Sequence, residues 1–594
     1  MTSENKICQN CKQKFVIEPE DFNFYEKIKV PPPTWCPECR HLRRMSFRNE
    51  RSLYHNFCGL CNREIIAVFA KSSPCAVYCQ DCWKSDKWNP LDYGKEYDFS
   101  KTFFEQLHEL LKRTPRPNLE GTQNLNCPYT NYTWLSKNCY LSPSTLSSEN
   151  VYYSKNIDNA KECIDCLEMQ NAELCYELLY AKNCHNSIYL AHSTDCVDSA
   201  FLYACRNCTD CILSSNLRNK RYVIRNIQYS REEYEKKRKE ILNGNFSTLS
   251  NLKEEFLRIR ERALNKYAWI LKANNATGDN LTNVKDVFQC FDAYNVQNLR
   301  YAVRGYNTKD SGDLYGFGTG DSMSELMYEG VNVGLADSID KFSTNTHTNN
   351  VDIQYSDYCR SSFHLFGCVS LHSKQYCILN KQYSKEEYEA LVPKIIEHMN
   401  TMPYVDSLGR VYKYGEFFPL ELSPFSYNET IAQEYFPLTK AQALEKGYRW
   451  RDPETKHYTV TKKPDELPDN IKDVDDSILN EVIGCAHEGK CNEQCTTAFK
   501  IIPQELQFYK RMSLPLPRLC PNCRHYQRLK QRNPLNLWHR ICTCVGAKSD
   551  NGVYTNTISH FHGADHCPNE FETSYAPDRP EIVYCENCYN SEVV

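Results

Sequence analysis

Cysteines near both ends of the chain come in close pairs, and two such pairs joined by a loop are what four thiolates need to converge on one Zn(II) ion. Cys8 and Cys11 with Cys36 and Cys39 make a first set, and Cys58 and Cys61 with Cys79 and Cys82 a second. Towards the other end Cys491 and Cys495, one residue further apart, combine with Cys520 and Cys523. A fourth set holds Cys567, Cys585 and Cys588, with Cys542 as the expected partner. Cys544 can replace either Cys542 or Cys567, and His560, His562 and His566 lie in the same insertion. Each set is closed by four protein ligands, which leaves no place for water or substrate and points to about four structural zinc ions. Disulfides would need an oxidising compartment, yet residues 1–30 carry no apolar core flanked by basic residues. No run approaches the length of a membrane span, so the expected setting is a reducing cytoplasm.

The two ends are one design written twice. Cys11, Phe15, Tyr25, Cys36, Cys39, Arg40, His41, Arg44, Asn49, His55 and Cys58 recur 484 residues later as Cys495, Phe499, Tyr509, Cys520, Cys523, Arg524, His525, Arg528, Asn533, His539 and Cys542. A basic run follows the inner cysteines of each copy: Arg40, Arg43, Arg44 and Arg48 in the first, Arg524, Arg528 and Arg532 in the second. With Tyr54, Tyr526 and Trp538 nearby for stacking, such runs suit phosphate backbones and unpaired bases. The competing reading pairs these arginines with acidic faces elsewhere in the chain. A net charge of -4 excludes a globally basic nucleic-acid coat.

Between the two ends the chain is periodic. Apolar or aromatic clusters centre on Tyr140, Tyr152, Ile164, Tyr176, Tyr189, Phe201, Ile212 and Tyr222, separated by short runs rich in Asn, Ser, Asp and Cys. A noisier series runs from Phe288 to Tyr376. Short strands and polar turns at nearly constant spacing predict a β-solenoid, one coil being built from two such intervals. Both series end alike, in Ser230 with Glu233 and Ser384 with Glu387, the spacing of a capping box that opens a helix over the last exposed edge. An amphipathic arm is expected from Leu249 to Lys272, a further capped helix at Thr439 and Gln442, and an acidic linker over 452–480. The fold class is therefore mainly β with helical inserts: β-solenoid-like central repeats flanked by tandem zinc ribbons at both ends. The expected boundaries are 1–92 for the first ribbon pair, 93–125 for a helical connector, 126–229 for the first repeat region and 230–277 for the helical arm. They continue as 278–383 for the second repeat region, 384–480 for a helical and acidic linker and 481–594 for the second ribbon pair.

Cysteines also occur inside the repeats. Cys163, Cys175, Cys184, Cys196 and Cys208 are expected to stack as small core residues in successive coils. Cys205, Cys208 and Cys211 resemble the start of an iron–sulfur run, but the fourth position is Ser215. Signs of catalysis are weak. Gly316-Phe317-Gly318-Thr319-Gly320 lacks the third glycine of a dinucleotide fingerprint, and no pair can be chosen among Asp210, Asp313, Glu325 and Asp352.

The pattern Cys-x2-Cys-Lys-Gln-Lys-Phe, then Phe22 to Tyr25, Pro31-Pro32-Pro33 and Cys36-Pro-Glu-Cys39-Arg40 resembles the probable zinc-binding ribbon family of bacterial proteins. Phe499, Phe508-Tyr509, Pro515 and Cys520-Pro-Asn-Cys523-Arg524 repeat it. The larger layout, with Gln382 to Tyr388 and Gln433 to Leu438, is similar to long hypothetical proteins of uncultured bacterial lineages. The resemblance covers about a fifth of the chain; it implies zinc and no activity.

Three functions are compatible with these residues. First is a zinc-binding, non-enzymatic cytoplasmic scaffold whose repeats present an interaction surface. Second is a nucleic-acid-binding protein using the basic runs, and third a polymer-acting enzyme with a groove on the solenoid. The partner, protein or nucleic acid, and the oligomeric state are left open, and no membrane contact is expected.

Overall fold

A computed structural model describes residues 2–318, 322–452 and 458–593. The chain divides into two units that are interleaved in sequence: Met1–Leu119 with Ala268–Asp452 form unit 1, and Glu120–Tyr267 with Pro453–Val594 form unit 2. Each unit contains a stack of parallel strands and one cysteine-rich terminal module. The N-terminal module thus joins the second stack, and the C-terminal module joins the first.

In the stack of unit 2, strand partners lie 12 residues apart: Lys155 faces Leu167, Cys163 faces Cys175, Ile188 faces Ala200 and Ala200 faces Ile212. One 12-residue interval, rather than the expected two, brings the chain back beside itself. The cause is a backbone rhythm of three that the hydrophobic pattern does not display. Every third residue from Tyr132 to Arg225 adopts a left-handed conformation, with φ between 45° and 61°. Asparagine and aspartate tolerate that region better than other side chains, which explains their abundance here. Once placed, they bond to each other along the stack: Asn159 donates to Asn171 at 2.8 Å, Asn171 to Asn183 at 3.1 Å and Asn183 to Asp195 at 2.8 Å.

Facing inward, serine and cysteine play one role. Ser199 Oγ donates to the Val197 carbonyl at 2.8 Å and accepts the amide of Cys211 at 3.2 Å, while Cys163 Sγ donates to the Lys161 carbonyl at 3.2 Å. The cysteines expected to stack in successive coils do so in two columns. Cys163 pairs with Cys175, whereas Cys184, Cys196 and Cys208 follow each other beside the bridges from His185 to Val197 to Thr209. Burial pushes the Cys184 thiol up to about 12, as befits a core residue.

The stack of unit 1 repeats the design with longer steps. Partners are 12 apart at Phe291 and Val303, 16 at Gly312 and Tyr328, 13 at Ser338 and Val351, and 12 again at Val351 and Phe363. These extra residues explain the noise in the sequence period. Gly316 and Gly318 sit at left-handed positions, and a Cβ on Gly318 would lie 1.9 Å from the Tyr306 carbonyl oxygen. The glycines therefore allow close approach of adjacent chain segments; Thr319 and Gly320 lie outside the described residues.

Both stacks end alike. Strand Arg221–Ile224 turns back antiparallel on Ile227–Gln228 before helix Arg231–Ile241, and Gln375–Ile378 turns back on Lys381–Gln382 before Lys385–Thr401. The capping boxes at Ser230 and Ser384 form, and Tyr234 and Tyr388 reach back to Tyr222 and Tyr376 with ring centroids 5.5 and 5.8 Å apart. A third box at Thr439 opens Lys440–Glu445. The expected arm is shorter than read: helix Phe246–Arg262 gives way to strand Leu264–Lys266, which pairs with Ile582–Tyr584. Three short 3-10 turns, Pro464–Glu466, Ile471–Asp473 and Asp476–Asn480, occupy the stretch expected as linker. Among the described residues no helix is long and apolar enough to cross a membrane.

Candidate metal centres

A hairpin and a helix build each terminal cluster. Strands Glu4–Ile7 and Lys14–Ile17 pair antiparallel and hold Cys8 and Cys11 at their turn, while Cys36 caps helix Pro37–Met45 with Cys39 in its first turn. The unpaired amides at that helix start favour negative sulfur. Four groups of cysteines converge with ligand atoms within 4.8 Å of one another: Cys8, Cys11, Cys36 and Cys39; Cys58, Cys61, Cys79 and Cys82; Cys485, Cys495, Cys520 and Cys523; and Cys542, Cys567, Cys585 and Cys588.

The sulfur separations carry chemical information. A tetrahedral site with Zn–S bonds of about 2.3 Å has S···S edges of about 3.8 Å, against about 2.05 Å for a disulfide. Cys11 and Cys36 are 3.7 Å apart, Cys61 and Cys79 3.9 Å, Cys485 and Cys523 3.8 Å, Cys495 and Cys520 4.0 Å, and Cys567 and Cys585 3.8 Å. All these cysteines are unbridged. Backbone amides point at the sulfurs in the same way in each cluster: Cys36 N to Cys8 Sγ at 3.2 Å, Cys79 N to Cys58 Sγ at 3.3 Å, Cys520 N to Cys485 Sγ at 3.3 Å and Cys585 N to Cys542 Sγ at 3.2 Å.

One cluster differs from the sequence reading, and in another the choice left open is settled. In the third, Cys485 takes the place opposite Cys520, the place that Cys8 takes opposite Cys36. Cys491 stands beside this group, 3.7 Å from Cys523. Strand pairing could have revealed the substitution, because Ile483 faces Phe499 as Lys6 faces Phe15, so the next cysteine after the strand is Cys485. In the fourth, Cys542 and Cys567 both enter the tetrad, while Cys544 belongs to an adjoining group with His560, His562 and Cys588.

Sulfurs this close cannot all be ionised without a cation. The hydrogen bond from Cys542 holds Cys585 down at about 4, and Cys542 is correspondingly pushed up. Cys58 falls to about 6, burial being outweighed by the amides of Cys61 and Cys79, while burial and the neighbouring thiols raise Cys82 to about 12. A divalent ion removes that conflict, because ligation requires every thiol to release its proton.

The arginines after the knuckles are not surface groups. Arg40, Arg43, Arg44, Arg48, Arg524 and Arg528 are each under 5 % exposed, and Arg532 is half-buried. Arg40 donates to both oxygens of Asp313 at 3.0 and 2.8 Å, Arg44 to Glu329 at 2.7 Å, and Arg43 to Glu329 and Glu416 at 3.0 and 2.9 Å. Arg48 bonds Glu50 at 2.7 Å. In unit 2 Arg524 and Arg528 share Asp165, at 2.7 and 2.9 Å, and Arg528 also reaches Glu177 at 3.4 Å. The six arginines expected at a nucleic acid are instead buried and paired: Arg40, Arg44, Arg524 and Arg528 with acidic residues of the stack packed against the module, Arg43 with Glu329 of the stack and with Glu416, and Arg48 with Glu50 beside it. The acidic residues considered for catalysis do not converge. Asp313 belongs to this contact, Asp210 pairs with Arg221, Glu325 with Lys309 and Asp352 with His364.

No family model matches the chain, and no curated protein matches it significantly. Among solved structures it is similar to a proposed acetyltransferase from Desulfovibrio desulfuricans G20, at 9% identity over 49% of this chain and 75% of that one, with a TM-score of 0.10. A likeness at that level carries no functional argument.

Proposed function

We propose that this chain is a zinc-dependent, non-enzymatic scaffold in which two β-solenoids are each clamped by a tandem zinc-ribbon module. The observation that carries the reading is the set of S···S separations of 3.7 to 4.0 Å, repeated in four closed quartets. Zinc fits better than a harder ion because the ligands are all thiolates, and a closed set suits structure over catalysis. In this reading each ion holds a hairpin against a helix, and in the first and third clusters that helix presents the arginines that lock onto the solenoid. Partner proteins are assigned to the outward faces of the solenoids, and a reducing cytoplasm keeps the thiols available. Metal analysis of the intact chain, purified without added metal, should return at least four equivalents of zinc, and a strong chelator should lower its melting temperature. A metal-free chain with unchanged melting would overturn the reading.

A further inference from the structure

The second and fourth cysteine clusters are counterparts, yet only one carries an addition. Two residues separate Cys58 from Cys61, whereas Thr543 to His566 separate Cys542 from Cys567. That insertion brings Cys544, His560 and His562 to Cys588, all four ligand atoms lying within 4.8 Å of one another. Cys588 is already a member of the adjoining quartet.

The histidines are oriented as metal ligands are. Metal-bound imidazoles usually donate their second N–H to a carboxylate or carbonyl, which fixes the free lone pair toward the ion. His560 Nε2 is 3.0 Å from Glu592 Oε1, and its side chain is fully buried. Its other nitrogen, Nδ1, is buried without a hydrogen-bond partner. Glu592 is itself fixed by the Thr557 amide at 3.0 Å and the Thr557 hydroxyl at 2.8 Å. His562 Nδ1 donates to the Asp565 carbonyl at 2.7 Å, which leaves Nε2 facing Cys588 Sγ at 3.4 Å. For bonds of about 2.05 Å to nitrogen and 2.3 Å to sulfur, a tetrahedral N···S edge is about 3.6 Å. Cys544 is fully buried, with Asn556 Nδ2 donating to its sulfur at 3.2 Å.

We propose that Cys544, His560, His562 and Cys588 bind a fifth divalent ion of zinc type, and that the Cys588 thiolate bridges it to the ion held by Cys542, Cys567 and Cys585. The proposal rests on the zinc reading of that quartet. Its charge balance is favourable: four thiolates around one dication leave two negative charges, whereas five thiolates and two neutral imidazoles around two dications leave one. Binding the second ion displaces the Cys544 proton to solvent.

Native mass spectrometry of the full chain, with zinc as the only added metal, tests this. Five zinc ions are expected in the natural chain, four in Cys544→Ser and in His560→Gln, and three in Cys588→Ser. A count of four in the natural chain, or of five in both single variants, overturns the fifth site while leaving the quartets intact; a count of zero defeats the zinc reading itself. If the variants fail to fold, the natural chain loaded with cadmium-113 decides. Two resonances coupled through a shared thiolate support the bridge, and four uncoupled all-sulfur resonances alone refute it.

Discussion

The same docking contact is built twice, once in each unit, and the copies differ in how many arginines they bury and in the carboxylates that receive them. In unit 1 Asp21 accepts from Tyr301 at 3.0 Å, Tyr25 packs on Tyr328 with centroids 5.5 Å apart, and Arg40 and Arg44 take Asp313 and Glu329. In unit 2 Glu505 accepts from Tyr153 at 3.1 Å, Tyr509 packs on Tyr176 at 5.9 Å, and Arg524 and Arg528 take Asp165 and Glu177. Even the rim repeats, with Lys27 on Asp310 at 3.0 Å and Arg511 on Glu162 at 2.7 Å. Unit 1 buries two further guanidiniums: Arg43, where unit 2 has Gln527, received by the added carboxylate of Glu416, and Arg48, paired with Glu50, where unit 2 has the half-buried Arg532. The difference teaches that charge in this dry contact is held in balance, since a buried ion left without its partner costs several kcal/mol.

The comparison can be broken most forcefully at the metal. Cys39→Ala and Cys523→Ala each remove one ligand from an ion whose apparent binding supplies on the order of 10 kcal/mol or more to folding. Each should lose one zinc by native mass spectrometry and unfold its own module, seen as protease cleavage confined to that end of the chain. Cleavage spreading equally to both ends would mean that the units do not hold their modules independently.

A smaller effect is expected at the docking contact. Asp165→Ala removes the carboxylate shared by Arg524 and Arg528, and Asp313→Ala the one shared by Arg40 and Arg44, so each should cost about 3–5 kcal/mol in denaturant unfolding. Pairing Asp313→Ala with Arg40→Met and Arg44→Met should recover much of the loss. No recovery would show that the contact is held by shape and not by charge balance.

The stacks differ in a way that pH can read. Asp340 occupies an inward position of unit 1 at 1 % exposure, where the corresponding residue of unit 2 is Ser187. Burial raises its carboxyl to about 7, against hydrogen bonds from Thr346 and Ser343. The sign follows from linkage: a raised pKa means the folded chain binds the proton more tightly, so this stability is full below about pH 4 and is lost as pH rises through 7. The loss is at most about 4 kcal/mol at 1.36 kcal/mol per unit. Asp340→Asn should therefore remove a decline in unit 1 stability between about pH 4 and 7; an unchanged slope would place the titration elsewhere. The mildest test is Asn171→Ala, which breaks two ladder bonds at a left-handed residue with φ 50° and should cost about 1–2 kcal/mol.

How much of this was legible depended on distance along the chain. Cys58, Cys61, Cys79 and Cys82 are near neighbours in sequence, and spacing alone found them. Cys485 was hidden because nine residues part it from Cys495, where two part Cys8 from Cys11. The arginines were misread for the same reason: their charge is visible locally, but Asp313 lies 273 residues beyond Arg40 and Asp165 lies 359 before Arg524. In the repeats the 12-residue interval was plain, while the three-residue rhythm lies in backbone angles that the hydrophobic pattern does not display and that the Asn and Asp residues mark at only some positions.

Interleaving gives the two halves opposite experiences during synthesis. At about 5–20 residues per second, the module bearing Arg40 waits roughly 15–55 s on the ribosome for Asp313 to be made, its cationic helix bare in the meantime. The stack bearing Asp165 waits longer, roughly 20–70 s, with an acidic flank uncovered until Arg524 arrives. A nascent chain stalled midway therefore exposes one positive and one negative half-contact at once, and each could take up the other in place of its proper mate.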